Sequence, residues 1–341
     1  MALRADLIKM FLIDFNFVVF DDRPELRPTS TAHDYADIDA QEVFDYAVSL
    51  GNNAIFCHAF TINGIATYPT RLGPVGAGTF GSLLPELYDI TRKNGLPFWS
   101  YFDVAQDGHI NSCRPSWLIP GTANGGDPSG FLAPETPWTD LLCARVEEFL
   151  TAYKADWIIF DGFTYGSFFP DTFQIQPAWY MVKPFREIIG RDMPAAASDI
   201  TPAENLTYKR EVLARQFYRI RDIVKTTSPA TKICFNVPFW KPAESVWVDH
   251  PMVTESDGLI AETTNEALVE YLLKIKRPDQ RMFLTVINCL DGFKFDTASW
   301  KKWYDRGCDF QGYAWGTPPD WRPAPRFQKA IDGFRDTFTK W

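Results

Sequence analysis

Eight short apolar runs, alternating with segments of helical period, predict an α/β protein built as a (β/α)8 TIM barrel. Two further observations point the same way. The runs are rich in β-branched and aromatic residues without polar alternation, as strands buried on both faces of a parallel sheet are. Polar residues gather at one end of each run, and 341 residues is a length at which a single barrel domain, 1–341, takes up the whole chain.

The strand candidates, in order, are MFLIDFNF (10–17), NAIFCHAF (53–60), LPFWSYFDV (96–104), DWIIFDGF (156–163), TKICFNVPF (231–239), DGLIAET (257–263), MFLTVIN (282–288) and CDFQGYAWG (308–316). Helical segments lie between them. DIDAQEVFDYAVSLG (37–51) opens on an Asp able to cap it and closes on Gly51, and TFGSLLPELYDITRKNG (79–95) ends on Gly95 just before a strand. PWTDLLCARVEEFLTAYKA (137–155) puts Leu141, Ala144, Val146 and Phe149 on adjoining faces, with Pro137 suited to a first turn. The segments 176–190, 204–227, 265–276, 299–307 and 325–341 supply the remaining helices. Loops 105–136 and 163–175 are long and rich in Gly, Pro, Ser and aromatics, so they fall on the rim where a barrel places its chemistry; GTANGGDPSG (121–130) reads as a mobile part of that rim.

Composition narrows the partners. A net charge of -9 disfavours nucleic acid and anionic membranes, whose field it would oppose. The N-terminal stretch MALRADLIKMFLIDFNFVVF is broken by Arg4, Asp6, Lys9 and Asp14, which fits neither a signal peptide nor a membrane span. Six cysteines without CxxC spacing read as reduced thiols of a cytoplasmic protein. No phosphate-cradling glycine loop, nucleotide fingerprint or Ser-His-Asp order occurs, so no cofactor is expected; association into a homo-oligomer is left open. Asn205-Leu206-Thr207 matches a glycosylation acceptor but opens a predicted helix, and is read as chance.

The residues at the strand ends form a coherent set. They are Asp14 and Asn16, His58, Tyr101 and Asp103, Asp161, Asn236, Glu262, Asn288, and Trp315. Any one of them could cap a helix or join an ion pair. Together, one or two per strand at the same end, they converge on one bowl. Two carboxylates suffice to cleave a glycosidic bond, one as nucleophile or base and one as acid, without metal. Asp161 and Glu262, from strands four and six, are expected to face each other across the mouth, with Glu255 as the fallback for Glu262. A separation of about 5–5.5 Å would imply retention and about 6.5–9.5 Å inversion.

Aromatics at 16%, with twelve Trp, add a carbohydrate signal, because rings stack on the C–H faces of sugars. Trp99, Tyr101, Trp117, Trp138, Phe163, Tyr165, Phe168, Phe169, Trp240, Trp315 and Trp321 fall in or near the rim segments. Half are expected to be core. Trp240 and Trp315 are the leading sugar contacts.

The segment NAIFCHAFTINGIATYPTRLG resembles the strand-two region of glycoside hydrolase family 29 α-L-fucosidases, through His58, Gly64, Tyr68, Pro69 and Thr70. LPELYDITRKNGLPFWSYFDV repeats that family's next helix–strand unit, and Phe160-Asp161-Gly162 is similar to its nucleophile motif. The resemblance covers roughly 10–165. It implies Asp161 as nucleophile and His58 as a sugar-binding residue. The family's paired histidines are here Cys57 and His58, and its acid/base region has no counterpart, so Glu262 rests on strand position alone.

Three alternatives remain open. An inverting sialidase-like glycosidase would use Asp14 and His109, with Arg114 binding a substrate carboxylate in bidentate fashion. A metal-dependent sugar isomerase or epimerase would gather Asp161, Glu262 and His58 around a divalent ion, although no HxH or HExxH spacing occurs. A non-catalytic carbohydrate-binding barrel would keep the aromatics and lose the carboxylate pair.

Overall fold

The computed structural model describes residues 4–16, 18–19, 30–31, 33–122, 130–167, 173–237, 247, 249–262, 265–288, 292–293, 297–317, 320–323 and 325–340. Within them the eight runs form eight strands: β1 (Lys9–Asp14), β2 (Ile55–His58), β3 (Phe98–Asp103), β4 (Trp157–Asp161), β5 (Lys232–Asn236), β6 (Gly258–Ala261), β7 (Arg281–Asn288) and β8 (Asp309–Thr317). All pair in parallel, in the order β1, β8, β7, β6, β5, β4, β3, β2. The result is a nearly closed barrel.

The seam between β2 and β1 is stitched by two asparagines, through their side chains and the Asn53 backbone N–H. Asn52 accepts from Phe11 N–H at 2.8 Å and donates to Phe11 C=O at 2.9 Å. Asn53 accepts from Lys9 N–H at 2.8 Å, and its own N–H reaches Lys9 C=O at 3.1 Å. A carboxamide carries a donor and an acceptor just as a peptide group does, so the pair supplies the rungs that a direct ladder would.

Strand periodicity sorts the residues into two layers. Met10, Leu12, Phe56, Trp99, Tyr101, Trp157, Ile159, Cys234, Ile260 and Phe283 form the barrel interior. Their alternating neighbours, such as Phe11, Ile55, Phe98, Ile158, Phe235 and Leu259, join the larger core beneath the helices. Trp99 and Trp157 stack at 4.7 Å and 7°, with Phe283 edge-on to both, and fill the barrel below its mouth. Trp99, Trp138, Phe163 and Tyr165 are therefore core rings and not rim contacts. At the opposite end, buried Asp309 binds Arg281 at 2.6 Å, Arg4, and the Ile8 N–H at 3.0 Å.

Helices Ala40–Ser49, Leu83–Lys93, Trp138–Ala152, Pro202–Thr227, Glu266–Ile275, Thr297–Asp305 and Gln328–Phe338 occupy the predicted segments. Asp39 caps the first by accepting from Gln41 and Glu42 N–H. Thr201 and Glu204 form a capping box on the fourth, with Pro202 in its first turn. Two short helices had no periodic signal: Gly108–Cys113 after β3 and Pro251–Glu255 before β6. Asn205 is buried and committed to Phe173 C=O and Ile175 N–H, a packing role in place of a glycan acceptor. Among the described residues no helix is long and apolar enough to cross a membrane.

Candidate active site

The same period of two that buries the barrel interior carries polar side chains to its mouth. Asp14 stands two residues beyond Leu12, His58 two beyond Phe56, Asp103 two beyond Tyr101, Asp161 two beyond Ile159, Asn236 two beyond Cys234 and Glu262 two beyond Ile260. Each therefore points inward as its strand ends.

Asp161 is the centre of the arrangement. Its Oδ1 accepts from Gly162 N–H at 2.7 Å, and its Oδ2 from the Tyr101 hydroxyl at 3.0 Å. Asn236 also hydrogen-bonds to it. Burial pushes its carboxyl above the ordinary range; the Gly162, Tyr101 and Asn236 hydrogen bonds pull it back down, while nearby Asp14 adds to the upward push. Gly162 has φ +63, and a Cβ there would lie 2.6 Å from the Asp103 carboxylate, so this turn accepts only glycine.

The neighbours hold one another. Tyr101 accepts from Asn16 Nδ2 at 3.1 Å, and Asn16 Oδ1 accepts from Ile62 N–H at 3.2 Å. Asp14 accepts from Asn16 N–H at 2.9 Å and lies 3.5 Å from His58 Nε2. The His58 ring packs against Phe56 and Tyr101, each at 4.8 Å between centroids. Asp103 turns to its own loop and accepts from Ala105 and Gln106 N–H at 2.9 and 2.6 Å. Burial, then the charge of Asp161, holds its carboxyl well above the usual range.

On the other flank Asn236 donates to Glu262 Oε2 at 3.0 Å. One carboxamide thus bonds Glu262 and favours the ionised form of Asp161. Asp161, Asn236 and Glu262 stand at the ends of three neighbouring strands, β4, β5 and β6, so one strand separates the two carboxylates. Tyr313, on β8, donates to Glu262 Oε1. Reading only the last polar or aromatic residue of each run missed Tyr313, which lies two before Trp315 on the same face of the strand.

Other expectations fare differently. Trp315 pairs in register with Asp14 and is half-buried near the mouth. His109 lies on the short helix after β3, its ring about 4 Å from Cys113 Sγ, and exposed Arg114 packs its guanidinium toward Trp117 and binds the Cys113 carbonyl. Asp14 engages His58 and Asn16 in place of that pair. Glu255 is removed from the mouth: it ends a helix that leads into the opposite end of β6, and binds Arg221 at 2.6 Å and Tyr218 at 2.8 Å. Trp240, Phe168 and Phe169 lie outside the described residues, as does the side chain of Asn288. Among the described residues no three His, Cys, Asp or Glu side chains are grouped to hold a metal.

The Tyr101 hydrogen bond carries a direct prediction. A bond to a charged acceptor is worth about 1.5–3 kcal/mol, which is about one to two pH units on the acceptor. Tyr101→Phe removes a donor to the Asp161 anion, so the Asp161 carboxyl should titrate higher by that amount. Carboxyl ¹³C NMR titration reads it; an unmoved Asp161 resonance would remove Tyr101 from this role.

Fold and site together define a (β/α)8-barrel protein with a carboxylate-centred bowl at the C-terminal ends of its strands. Among solved structures it is similar to α-L-fucosidase isoenzyme 2 from Paenibacillus thiaminolyticus, with TM-score 0.70 and 12% identity, covering 98% of this chain and 49% of that one. It is also similar to a fucosyltransferase mutant of the α-L-fucosidase AlfC of Lactobacillus casei, with TM-score 0.51 and 12% identity over 89% of this chain and 80% of that one. The chain thus spans about half the length of the first of these enzymes. At such identities the shared property is the fold. No protein-family model and no curated protein matches the chain in sequence.

Proposed function

We propose that residues 1–341 act as one catalytic domain, a fucosidase-like glycoside hydrolase that removes a terminal sugar with Asp161 as nucleophile and Glu262 as acid/base. The observation that carries this reading is the Asn236 carboxamide between the two carboxylates. The amide nitrogen bonds Glu262 at 3.0 Å and also favours the anion of Asp161, which gathers the two carboxylates around one side chain; a nucleophilic Asp161 implies retention. The fold shared with two α-L-fucosidases supports the same class.

In the first step an Asp161 oxygen attacks the anomeric carbon as the glycosidic C–O bond breaks. The bonding pair leaves with the aglycone oxygen, which takes the proton from Glu262. In the second step Glu262, now a carboxylate, removes a proton from water as the water oxygen attacks the same carbon and Asp161 departs with its electron pair. The Gly162 N–H, the Tyr101 hydroxyl and Asn236 favour the ionised form of Asp161 against its burial.

A panel of aryl glycosides of fucose, galactose, arabinose and sialic acid, with NMR of the first-formed anomer, tests the proposal. Release from the α-L-fucoside with retention is expected. An inverted first product would make one of the pair a general base, and absence of turnover across the panel would overturn the glycosidase reading.

A further inference from the structure

Two of the groups bonded to Glu262 differ in chemistry. Asn236 presents its Nδ2, which can only donate, to Oε2, while Tyr313 presents a hydroxyl, which can donate or accept, to Oε1. The amide orientation follows from its surroundings: the nitrogen faces two carboxylates, where the amide oxygen would meet lone pairs. We propose that the Tyr313 hydroxyl reverses its hydrogen bond as Glu262 gains and loses its proton, making Tyr313 a positioning residue for the acid/base step. The proposal rests on the glycosidase reading above.

A neutral carboxyl group accepts best on its carbonyl oxygen and carries its proton on the other. Asn236 claims Oε2 as the acceptor in both states, so the proton belongs on Oε1. With Glu262 protonated, the Oε1–H group donates to Tyr313 oxygen. When substrate binds, that O–H turns from Tyr313 to the glycosidic oxygen; as it breaks and the proton passes to the leaving aglycone oxygen, the Tyr313 O–H turns to donate to the carboxylate left behind. Proton abstraction from water in the second step runs the exchange backward. Neither state leaves an oxygen facing a mismatched partner, which in a part-buried site would cost about 1–3 kcal/mol.

Among the described residues, groups facing Glu262 come from three strands: Tyr313 from β8, Asn236 from β5, and beyond it Asp161 from β4. One layer below Tyr313, Gln311 donates to Thr285 Oγ1 at 2.9 Å, and this pair is uncharged. Gln311 and Tyr313 share the inward face of β8, and the ladder irregularity beside Gln311 and Gly312 lies between them.

The test is Tyr313→Phe in the full chain, assayed on aryl glycosides of graded leaving-group acidity beside Glu262→Gln. Loss of a donor to the anion should make Glu262 harder to ionise, so the alkaline limb of kcat/KM moves to higher pH. Substrates with poor leaving groups should lose about 10–100-fold in kcat/KM and dinitrophenyl glycosides less than about threefold, because only the former need full proton donation. In the Glu262→Gln background Tyr313→Phe should add nothing further. A uniform loss across leaving groups with an unmoved limb overturns the role of Tyr313 while leaving Glu262 intact. Glu262→Gln without leaving-group dependence overturns the reading of Glu262, and the inference with it. Should the Phe variant fail to fold, 3-fluorotyrosine at position 313 keeps the ring and donates more strongly; the alkaline limb then moves to lower pH, and an unmoved limb overturns the proposal.

Discussion

Asp161→Asn is expected to lower kcat on the aryl glycoside substrate by on the order of 10⁴-fold, about 5.5 kcal/mol of lost transition-state stabilisation, with KM little changed. The variant keeps the shape of the side chain and its contact with Gly162 N–H but presents no anionic oxygen to the anomeric carbon. Folding should not suffer. Burial raises the folded carboxyl above its unfolded value, so the native state binds this proton more tightly than the unfolded chain does. Such a group contributes least at neutral pH: between its unfolded value of about 3.9 and its raised folded value, stability falls as pH rises. The Asn variant escapes that loss, and its thermal midpoint at pH 7 should equal or exceed the wild type. A dead variant that is also strongly destabilised would point to a structural role for Asp161, and a fully active one would move the nucleophile elsewhere.

Most of the barrel was legible because its strands announce themselves by composition and its inward residues by a period of two. Counting back from Asp161 through Ile159 to Trp157 gives the face that the structure shows, and the same count works from Glu262 and His58. What periodicity cannot supply is which strand-end residues touch. Asn236 joining the two carboxylates, and Tyr101 bridging Asn16 to Asp161, depend on barrel curvature and on side-chain length. Tyr313 escaped notice because β8 runs nine residues, long enough to present three inward side chains, and its last aromatic, Trp315, looked like the terminus. His109 and Arg114 were read as rim residues because nothing in GHINSCRPSW shows a helix of six residues whose cap is the preceding Asp107. Half of the rings are expected in the core, but which half is not legible: Trp138 donates its Nε1–H to Val104 C=O and is buried, and a polar handle of that kind is invisible in sequence.

Asp107→Asn is expected to lower stability by about 3–5 kcal/mol, the range for stranding one member of a buried ion pair. Asp107 Oδ2 meets Arg145 Nη1 at 2.5 Å, and both residues are about 1% exposed. The guanidinium also donates to Leu72 C=O at 3.0 Å and lies 4.1 Å from the Phe60 ring centroid, so it has no route to solvent when the carboxylate is neutralised. Asn retains an oxygen to cap the Gly108–Cys113 helix through Ile110 N–H, which separates the loss of charge from the loss of the cap. At about 2.1 cal/mol/K per residue, 341 residues convert this cost into a fall of about 4–7 °C in thermal midpoint. Arg145→Met added to Asp107→Asn should recover part of it, since the stranded cation is then gone. A midpoint within about 1 °C of wild type for Asp107→Asn would show the pair to be dispensable. Its consequence for the bowl follows from connectivity. The helix that Asp107 starts is bonded through Gly108 and His109 N–H to Ile62 and Asn63 C=O, those residues hold Asn16, and Asn16 donates to the tyrosine that holds Asp161. The anchor of Asp161 therefore reaches down to an ion pair outside the bowl, and loosening that pair should cost heat tolerance first and turnover, measured well below the midpoint, by less than about tenfold.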